Sequence, residues 1–181
     1  MKKRTLSIQE LCLIGVVTSI FIIMAQISIP MPLGVPMTMQ TFAVMLAGIL
    51  LGPRKGTIAV GLYILLGAVG LPVFSNFKGG IQCLVGPTGG FLWSFPIMAC
   101  LTGLGTKYWP RRKSFFVLTL LMGNVINLLC GTAFFAFVQK VPFSAAAATC
   151  LFPFIPATIF KIVLVMVAGL NIRKRLKSIL Y

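Results

Sequence analysis

Between Ser114 and Val138 the chain runs for 25 residues without one charged side chain. About 20 apolar residues at 1.5 Å each cross the ~30 Å hydrocarbon core of a bilayer, so a run of this length predicts a transmembrane helix. It does not stand alone. The 181-residue sequence is 59% hydrophobic and 9% charged, which excludes an ordinary soluble domain and predicts an all-α, multi-spanning membrane protein. Six spans account for the pattern: about Ile8–Ser28, Met37–Leu51, Gly56–Gly70, Gly89–Thr106, Ser114–Val138 and Ala147–Ile172. They form a single domain over residues 1–181. The N-terminus, basic and then apolar, has the outline of a secretory signal, but five further apolar segments come after it, so it reads as an uncleaved first helix. Ile29 to Pro36 carries three prolines, which cannot continue the first helix. Gly52-Pro53-Arg54-Lys55 reads as a tight turn between the second and third spans. Those two spans are short for a bilayer, which needs about 20 residues per crossing, so they are expected to extend into their flanking loop residues.

The balance of sixteen basic residues, one acid and no histidine gives +15. In a soluble domain such a charge suggests nucleic acid. Here the cations sit in clusters between apolar runs: Lys2-Lys3-Arg4, Arg54-Lys55, Lys107 with Arg111-Arg112-Lys113, and Arg173-Lys174-Arg175 with Lys177. That is the pattern of cytoplasmic loops, whose ordinary neighbours are anionic lipid headgroups. With the N-terminus inside, thirteen of the sixteen fall on the cytoplasmic side, Lys78 and Lys140 fall outside, and Lys161 lies within the sixth span. Both termini are therefore expected in the cytoplasm of a cell-membrane protein, with no nucleic-acid partner. The five cysteines show no CxxC spacing, and with no histidine and one acid neither a metal nor a cofactor site is expected. The cysteines read as small packing residues. No repeat, inverted or direct, is evident.

Leu71 to Phe95 (LPVFSNFKGGIQCLVGPTGGFLWSF) has too many glycines for a continuous helix and too few charges for a solvated loop. Irregular backbone near a bilayer survives only where protein or a water-filled cavity covers it, so this stretch is expected to wall a small-molecule site. Gly86-Pro87-Thr88-Gly89-Gly90 opens the fourth span, with Thr88 suited to an N-cap over exposed N–H groups; close glycine packing is the alternative. Phe74, Phe77, Phe91 and Trp93 offer aromatic surface for a pocket or for interface anchoring.

Lys161 is the sharpest single signal. In a span over Ala147–Ile172 it stands near the middle, where a lysine costs ~2.5–3.5 kcal/mol on insertion scales. The one acid, Glu10, belongs to the cytoplasmic end of the first helix, ~15 Å of helix rise away in depth. The candidate partners are backbone carbonyls, water or an anionic ligand arriving from outside; a neutral amine is the other possibility. Thr158 precedes it by three residues and shares its helix face, to meet a ligand or its own backbone. Asn124 and Asn127 share a face of the fifth span, for interhelical hydrogen bonds or ligand contact. Gln40, near the outer end of the second span, either points into the site or sits at the interface. Gly15 and Ser19 form a small-xxx-small pair that permits close helix approach, within the chain or to a partner.

Gln26-Ile-Ser-Ile-Pro-Met-Pro, Val35-Pro-Met-Thr-Met-Gln40-Thr, Leu50-Leu-Gly-Pro-Arg54, Gly67-Ala-Val-Gly-Leu-Pro-Val-Phe74 and Gly86-Pro-Thr-Gly-Gly-Phe91, in that order, resemble the BioY family, the biotin-specific S components of energy-coupling-factor (ECF) transporters. The similarity covers nearly the whole chain and is densest from Ala25 to Phe95. It implies a six-helix S component that binds biotin at its outer face, under the loops after the first and third helices. It also implies a transmembrane T subunit and two ATPases as partners, with Gly15 and Ser19 where S components contact the T subunit. One departure stands out: the family's Gly-Asp-x-x-Lys pattern is here Ala157-Thr158-Ile159-Phe160-Lys161. The lysine is kept and the acid is a threonine, which cannot neutralise Lys161.

The expected function is therefore biotin capture and uptake, not enzymatic chemistry. Lys161 takes the carboxylate or the ureido oxygen, and Asn76, Gln82, Thr88, Gly89, Gly90 and Phe91 are candidates for wall and lid, with Thr158, Gln40 and Asn127 beside them. The alternatives are an S component for another small anionic or vitamin-like compound, or a solitary carrier. A membrane enzyme or assembly factor acting on lipid lacks general acid/base groups.

Overall fold

The computed structural model describes residues 7–31, 35–109 and 111–180; the basic cluster Lys2-Lys3-Arg4 and residues 32–34 of the first loop lie outside them. Helix α1 (Ile8–Gln26) opens on a capping box. The Ser7 hydroxyl accepts from the Glu10 N–H, and the Glu10 carboxylate accepts from the Ser7 N–H at 3.0 Å. Past its end, β1 (Ser28–Ile29) pairs antiparallel with β2 (Met37–Thr38), Ser28 opposite Thr38. This two-stranded ribbon departs from the all-helical expectation. The proline-rich segment lies between the two strands.

Helix α2 (Gln40–Ala68) is helical throughout except at Gly52, whose φ of 77° and ψ of −177° only glycine adopts readily. Pro53 comes next, at a first-turn position where its missing N–H is no loss. The chain doubles back there. A Cβ built on Gly56 would lie 2.8 Å from the Ala47 carbonyl oxygen, whereas nine residues of straight helix separate such positions by ~13 Å. The second and third expected spans are thus two arms, 40–51 and 53–68, and a single residue turns the chain where four were expected.

A largely irregular segment leads through a 3-10 turn (Ser75–Phe77) and α3 (Gln82–Val85) to α4 (Gly89–Lys107). Helix α5 (Lys113–Gln139) comes next, then the short α6 (Phe143–Cys150) and α7 (Phe154–Leu180). The expected sixth span from Ala147 is therefore divided. Pro153 has no N–H to carry a helix forward and pushes the residue before it out of the helical region, so the long helix starts only at Phe154. Lys161 consequently stands about two turns, ~10 Å, from the start of α7 rather than at mid-span.

Helix α4 is the centre of the bundle, packed against α2 on one side and α5 on the other. A Cβ on Gly48 would fall 2.7 Å from the Ala99 carbonyl oxygen and 2.9 Å from Thr102 Cβ, so α2 and α4 touch backbone to backbone. In lipid no hydrophobic effect draws helices together, and such close packing of small residues replaces it. Phe21, Met45, Tyr63, Met98 and Leu120 are fully buried between the helices. Among the described residues, four helices are long and apolar enough to cross a membrane: Ile8–Gln26, Gln40–Ala68, Lys113–Gln139 and Phe154–Arg175.

The two ends of the bundle differ. At one, Gly103 abuts Pro53, Glu10 pairs with Lys55 at 2.5 Å, and Arg173 donates to the Thr106 carbonyl at 3.2 Å. The opposite end carries the β1–β2 ribbon, the segment from Leu71 to Thr88, and the start of α7.

Candidate functional site

A cavity of about 350 Å³ opens at that second end, at the lower limit of the ~300–1,000 Å³ usual for small-molecule sites. The ribbon and the start of α2 supply Pro30, Met31, Val35, Pro36, Thr38, Gln40 and Thr41 to its lining. The irregular segment supplies Phe74, Ser75, Asn76, Lys78, Gln82, Cys83, Gly86, Pro87 and Thr88. Below these lie Phe91, Leu92 and Phe95 of α4, Asn127 and Leu128 of α5, and Phe154, Thr158 and Lys161 of α7.

Lys161 is 6% exposed. Its Nζ donates to the Thr38 carbonyl at 2.6 Å and to the Thr41 hydroxyl at 3.1 Å. An ammonium has three donors, so these contacts tie α7 to Thr38 of β2 and Thr41 of α2 and leave one N–H without a partner among the described residues. The carbonyl and ligand possibilities are compatible in this geometry. The only acid of the chain is at the far end with Lys55, and the cavity lining carries two cations, Lys161 and Lys78, with no carboxylate. Thr158 lines the cavity half-buried, and its hydroxyl bonds to none of the described residues.

The other anticipated residues divide by what holds them. Asn127 donates to the Phe91 carbonyl at 3.1 Å and the Ser94 hydroxyl at 2.7 Å, so its amide group joins α5 to α4 and its oxygen is left at the cavity. Asn124 turns away, towards Met45 and its own helix. Gln40 is largely engaged: it accepts from the Thr38 hydroxyl at 2.8 Å and donates to the Tyr63 hydroxyl at 2.7 Å, which in turn donates to the Val73 carbonyl. Gln82 donates back to Gly79. Thr88 is on the lining and stands at the N-cap position of α4, but without a side-chain capping bond; its hydroxyl reaches the Cys83 carbonyl at 3.5 Å. Gly89 and Gly90 are not on the lining. A Cβ on Gly89 would overlap the Leu84 carbonyl, and one on Gly90 would fall 2.7 Å from the Cys130 carbonyl oxygen. Here the close-packing alternative holds. Phe91 lies over Gly131 and stacks on Phe154 at 6.2 Å between ring centroids. Phe74 packs edge-on to Tyr63 at 5.5 Å. Phe77 and Trp93 point outwards and are not on the lining. Burial pushes the Cys83 thiol above its ordinary pKa, with Lys78 opposing, so it faces the cavity as a neutral thiol.

The sequence reasoning missed Gln26. This last residue of α1 donates through Nε2 to the Phe74 carbonyl at 3.1 Å and the Val73 carbonyl at 3.4 Å, and accepts the Phe77 N–H through Oε1 at 2.9 Å. The segment it grips is strained. Asn76 and Phe77 both adopt left-handed backbone, φ 58° and 54°. Asparagine tolerates this, but for phenylalanine it costs roughly 1–2 kcal/mol. Asn76 is held separately, its oxygen accepting from the Ser28 hydroxyl at 2.8 Å, which leaves its NH₂ for the cavity. Thr38, Thr41 and Lys78 were also missed. For the first two the signal was present, since Thr38 and Thr41 lie three apart at a helix start, in one motif with Gln40.

Gly15 and Ser19 are elsewhere, on an outward face of α1. A Cβ on Gly15 would meet nothing within 4 Å, and the exposed Ser19 hydroxyl bonds only back to the Gly15 carbonyl at 3.1 Å.

Comparison with known proteins bears on this arrangement. A family model described as the BioY family matches residues 1–178. The chain is 39% identical over 153 residues to the probable biotin transporter BioY of Pyrococcus horikoshii, covering 84% of this chain and 89% of that one. It is 34% identical over 167 residues to the biotin transporter BioY2 of Lactococcus lactis, covering 92% and 91%. A match to the biotin transporter BioY of Thermotoga maritima is 48% identical over 107 residues, 59% of this chain and 61% of that protein. Among solved structures, the S-component for biotin from an ECF-type ABC transporter superposes with a TM-score of 0.83 over 92% of each chain, at 29% identity.

Proposed function

This chain belongs to the BioY family and is a transport protein rather than an enzyme; from that premise we propose that it is an integral membrane S subunit that captures biotin at its outer face and delivers it inward with an ECF energising module. The observation that carries the reading is the buried Lys161 amine in a mostly apolar cavity with no carboxylate on its lining. Such a site suits a small monoanion with an apolar body. Phe74, Phe91, Leu92, Phe95 and Phe154 cover the fused rings. The Asn76 NH₂, the Asn127 oxygen and the Thr158 hydroxyl meet polar atoms, and a cation neutralises the carboxylate.

In this reading the two arms of α2 each cross the membrane, which with α1, α4, α5 and α7 makes six crossings. The end bearing Arg54, Lys55, Lys107 and Arg173 faces the cytoplasm of the cell, with both termini. The open Gly15–Ser19 face of α1 receives a transmembrane T subunit that carries two ATPases. A second reading keeps the fold and changes the ligand: Thr158, with its unengaged hydroxyl and no charge, suits an S component for another small anionic or vitamin-like compound.

Labelled biotin retained by the detergent-purified protein, with desthiobiotin, thiamine and riboflavin as competitors, separates the two. Lys161→Ala is expected to weaken biotin binding by about a hundredfold, since losing one partner of a buried charge pair costs ~2–5 kcal/mol. Biotin outcompeted by thiamine or riboflavin, or indifferent to Lys161→Ala, would sink the biotin reading.

A further inference from the structure

Of the polar groups at the cavity end, Gln26 makes the most contacts to the wall without lining the cavity. Besides a bond back to the Ile22 carbonyl of its own helix, its side chain bonds residues 73, 74 and 77, reaching across Ser75 and the left-handed Asn76 to the left-handed Phe77. Elsewhere the segment is held at its start, where Tyr63 donates to the Val73 carbonyl at 3.0 Å and Phe74 is buried, and at Asn76, whose oxygen accepts from Ser28 at 2.8 Å; the Phe77 end has little else. Phe77 is 72% exposed and contributes no packing. The segment's own backbone offers the Phe74–Lys78 bridge and one weak turn bond, the Lys78 N–H to the Ser75 carbonyl at 3.4 Å. A left-handed phenylalanine persists only where its surroundings over-determine it, and the bond that fixes its amide is the one to Gln26. Asn76, one residue earlier, lines the cavity between the bonds at Phe74 and Phe77, with its oxygen held by Ser28 and its NH₂ left for the cavity.

We propose that Gln26 is a positioning residue of the ligand site: the α1-terminal amide that holds residues 73–77, and with them Asn76, in the shape that retains the ligand. This deepens the biotin-capture reading and rests on it for the identity of the ligand. Because the clamp bonds to backbone atoms, it is indifferent to the side chains of the loop. It acts on escape of the ligand more than on entry, since the wall must be displaced for a bound molecule to leave.

The test is Gln26→Met, which keeps the volume and helix propensity of the side chain and removes only the bonds. Dissociation of labelled biotin from the purified protein is expected to quicken by roughly fivefold to tenfold, the equivalent of one or two neutral hydrogen bonds, with association little changed. Misfolding lowers the amount of biotin bound but not the rate at which the folded fraction releases it, so the rate separates positioning from a general structural role. Hydrogen–deuterium exchange of residues 71–79 without ligand is expected to accelerate in the variant, because the Phe77 amide loses its acceptor. If Gln26→Met cannot be recovered, Ser28→Ala removes the partner bond to Asn76 and is expected to show the same acceleration, reduced. An unchanged dissociation rate or unchanged exchange of 71–79 overturns the proposal. Wild-type protein that retains no labelled biotin would instead sink the biotin reading, and the exchange measurement would still judge the clamp.

Discussion

Lys161 and Thr158 stand one turn apart on α7 and face the same cavity, yet only the lysine is held by protein atoms. The difference sets what each contributes. The amine is oriented by β2 and α2 before any ligand arrives, so its remaining donor meets an anion with little reorganisation. The hydroxyl can still rotate. Placing an acid at 158 would put a counter-charge beside the amine and an acceptor beside the ligand's N–H groups. Thr158→Asp is therefore expected to strengthen biotin binding several-fold, the size of one hydrogen bond to a charged group at ~1.5–3 kcal/mol less desolvation. It is also expected to flatten the dependence of affinity on salt, because the cavity would no longer be purely cationic. Equilibrium binding between low and high ionic strength measures both, and a variant matching wild type in both would remove Thr158 from the site. Residue types alone marked Lys161, because a charge in an apolar run is rare and costly. They could not mark Gln26, because a glutamine at a helix end is unremarkable until the chain 47 to 51 residues onward is seen to return to it.

At the scale of elements, the hairpin in α2 depends on one residue. Gly52 combines φ 77° with ψ −177°, and a Cβ there would meet nothing within 4 Å. The cost of Gly52→Ala is thus conformational alone, ~1–3 kcal/mol. Gly48→Ala tests the opposite case, an ordinary helical position where the added methyl collides with the Ala99 carbonyl and Thr102. Both are expected to lower the melting temperature of the purified protein, and Gly48→Ala by more, because the atoms its methyl meets are the α4 backbone and the Cβ of Thr102, which no trimming of a side chain short of glycine removes. Melting that is unchanged in Gly52→Ala would show that the turn is not confined to this residue. Apolar length made these helices legible in the sequence, and Gly-Pro marked the turn. The limits of α7 were not legible. Residues 147–153 are as apolar as the first turns of α7, and Pro153 alone separates α6 from the long helix, a boundary that hydropathy does not register. The β1–β2 ribbon was hidden for a related reason, since two paired residues on each strand leave no periodicity to read.

For the whole molecule, α1 links regions that the other helices keep apart. Its first turn meets the basic end through Glu10 and Lys55, its last residue grips the cavity wall, and between them Gly15 and Ser19 face away from the bundle. In the proposed reading the use of that outward face is close approach by a helix of the T subunit. Gly15→Leu fills that face at a site where an added Cβ meets none of the described residues of other elements within 4 Å, so fold and cavity are expected to be untouched. Biotin binding by the purified subunit should equal wild type, while biotin accumulation by cells that also express a T subunit and its ATPases should fall at least tenfold. Accumulation that falls together with binding would mean that α1 is reporting on the cavity rather than on a partner. Accumulation that survives Gly15→Leu would place the docking face on another helix, or make the chain a carrier in its own right.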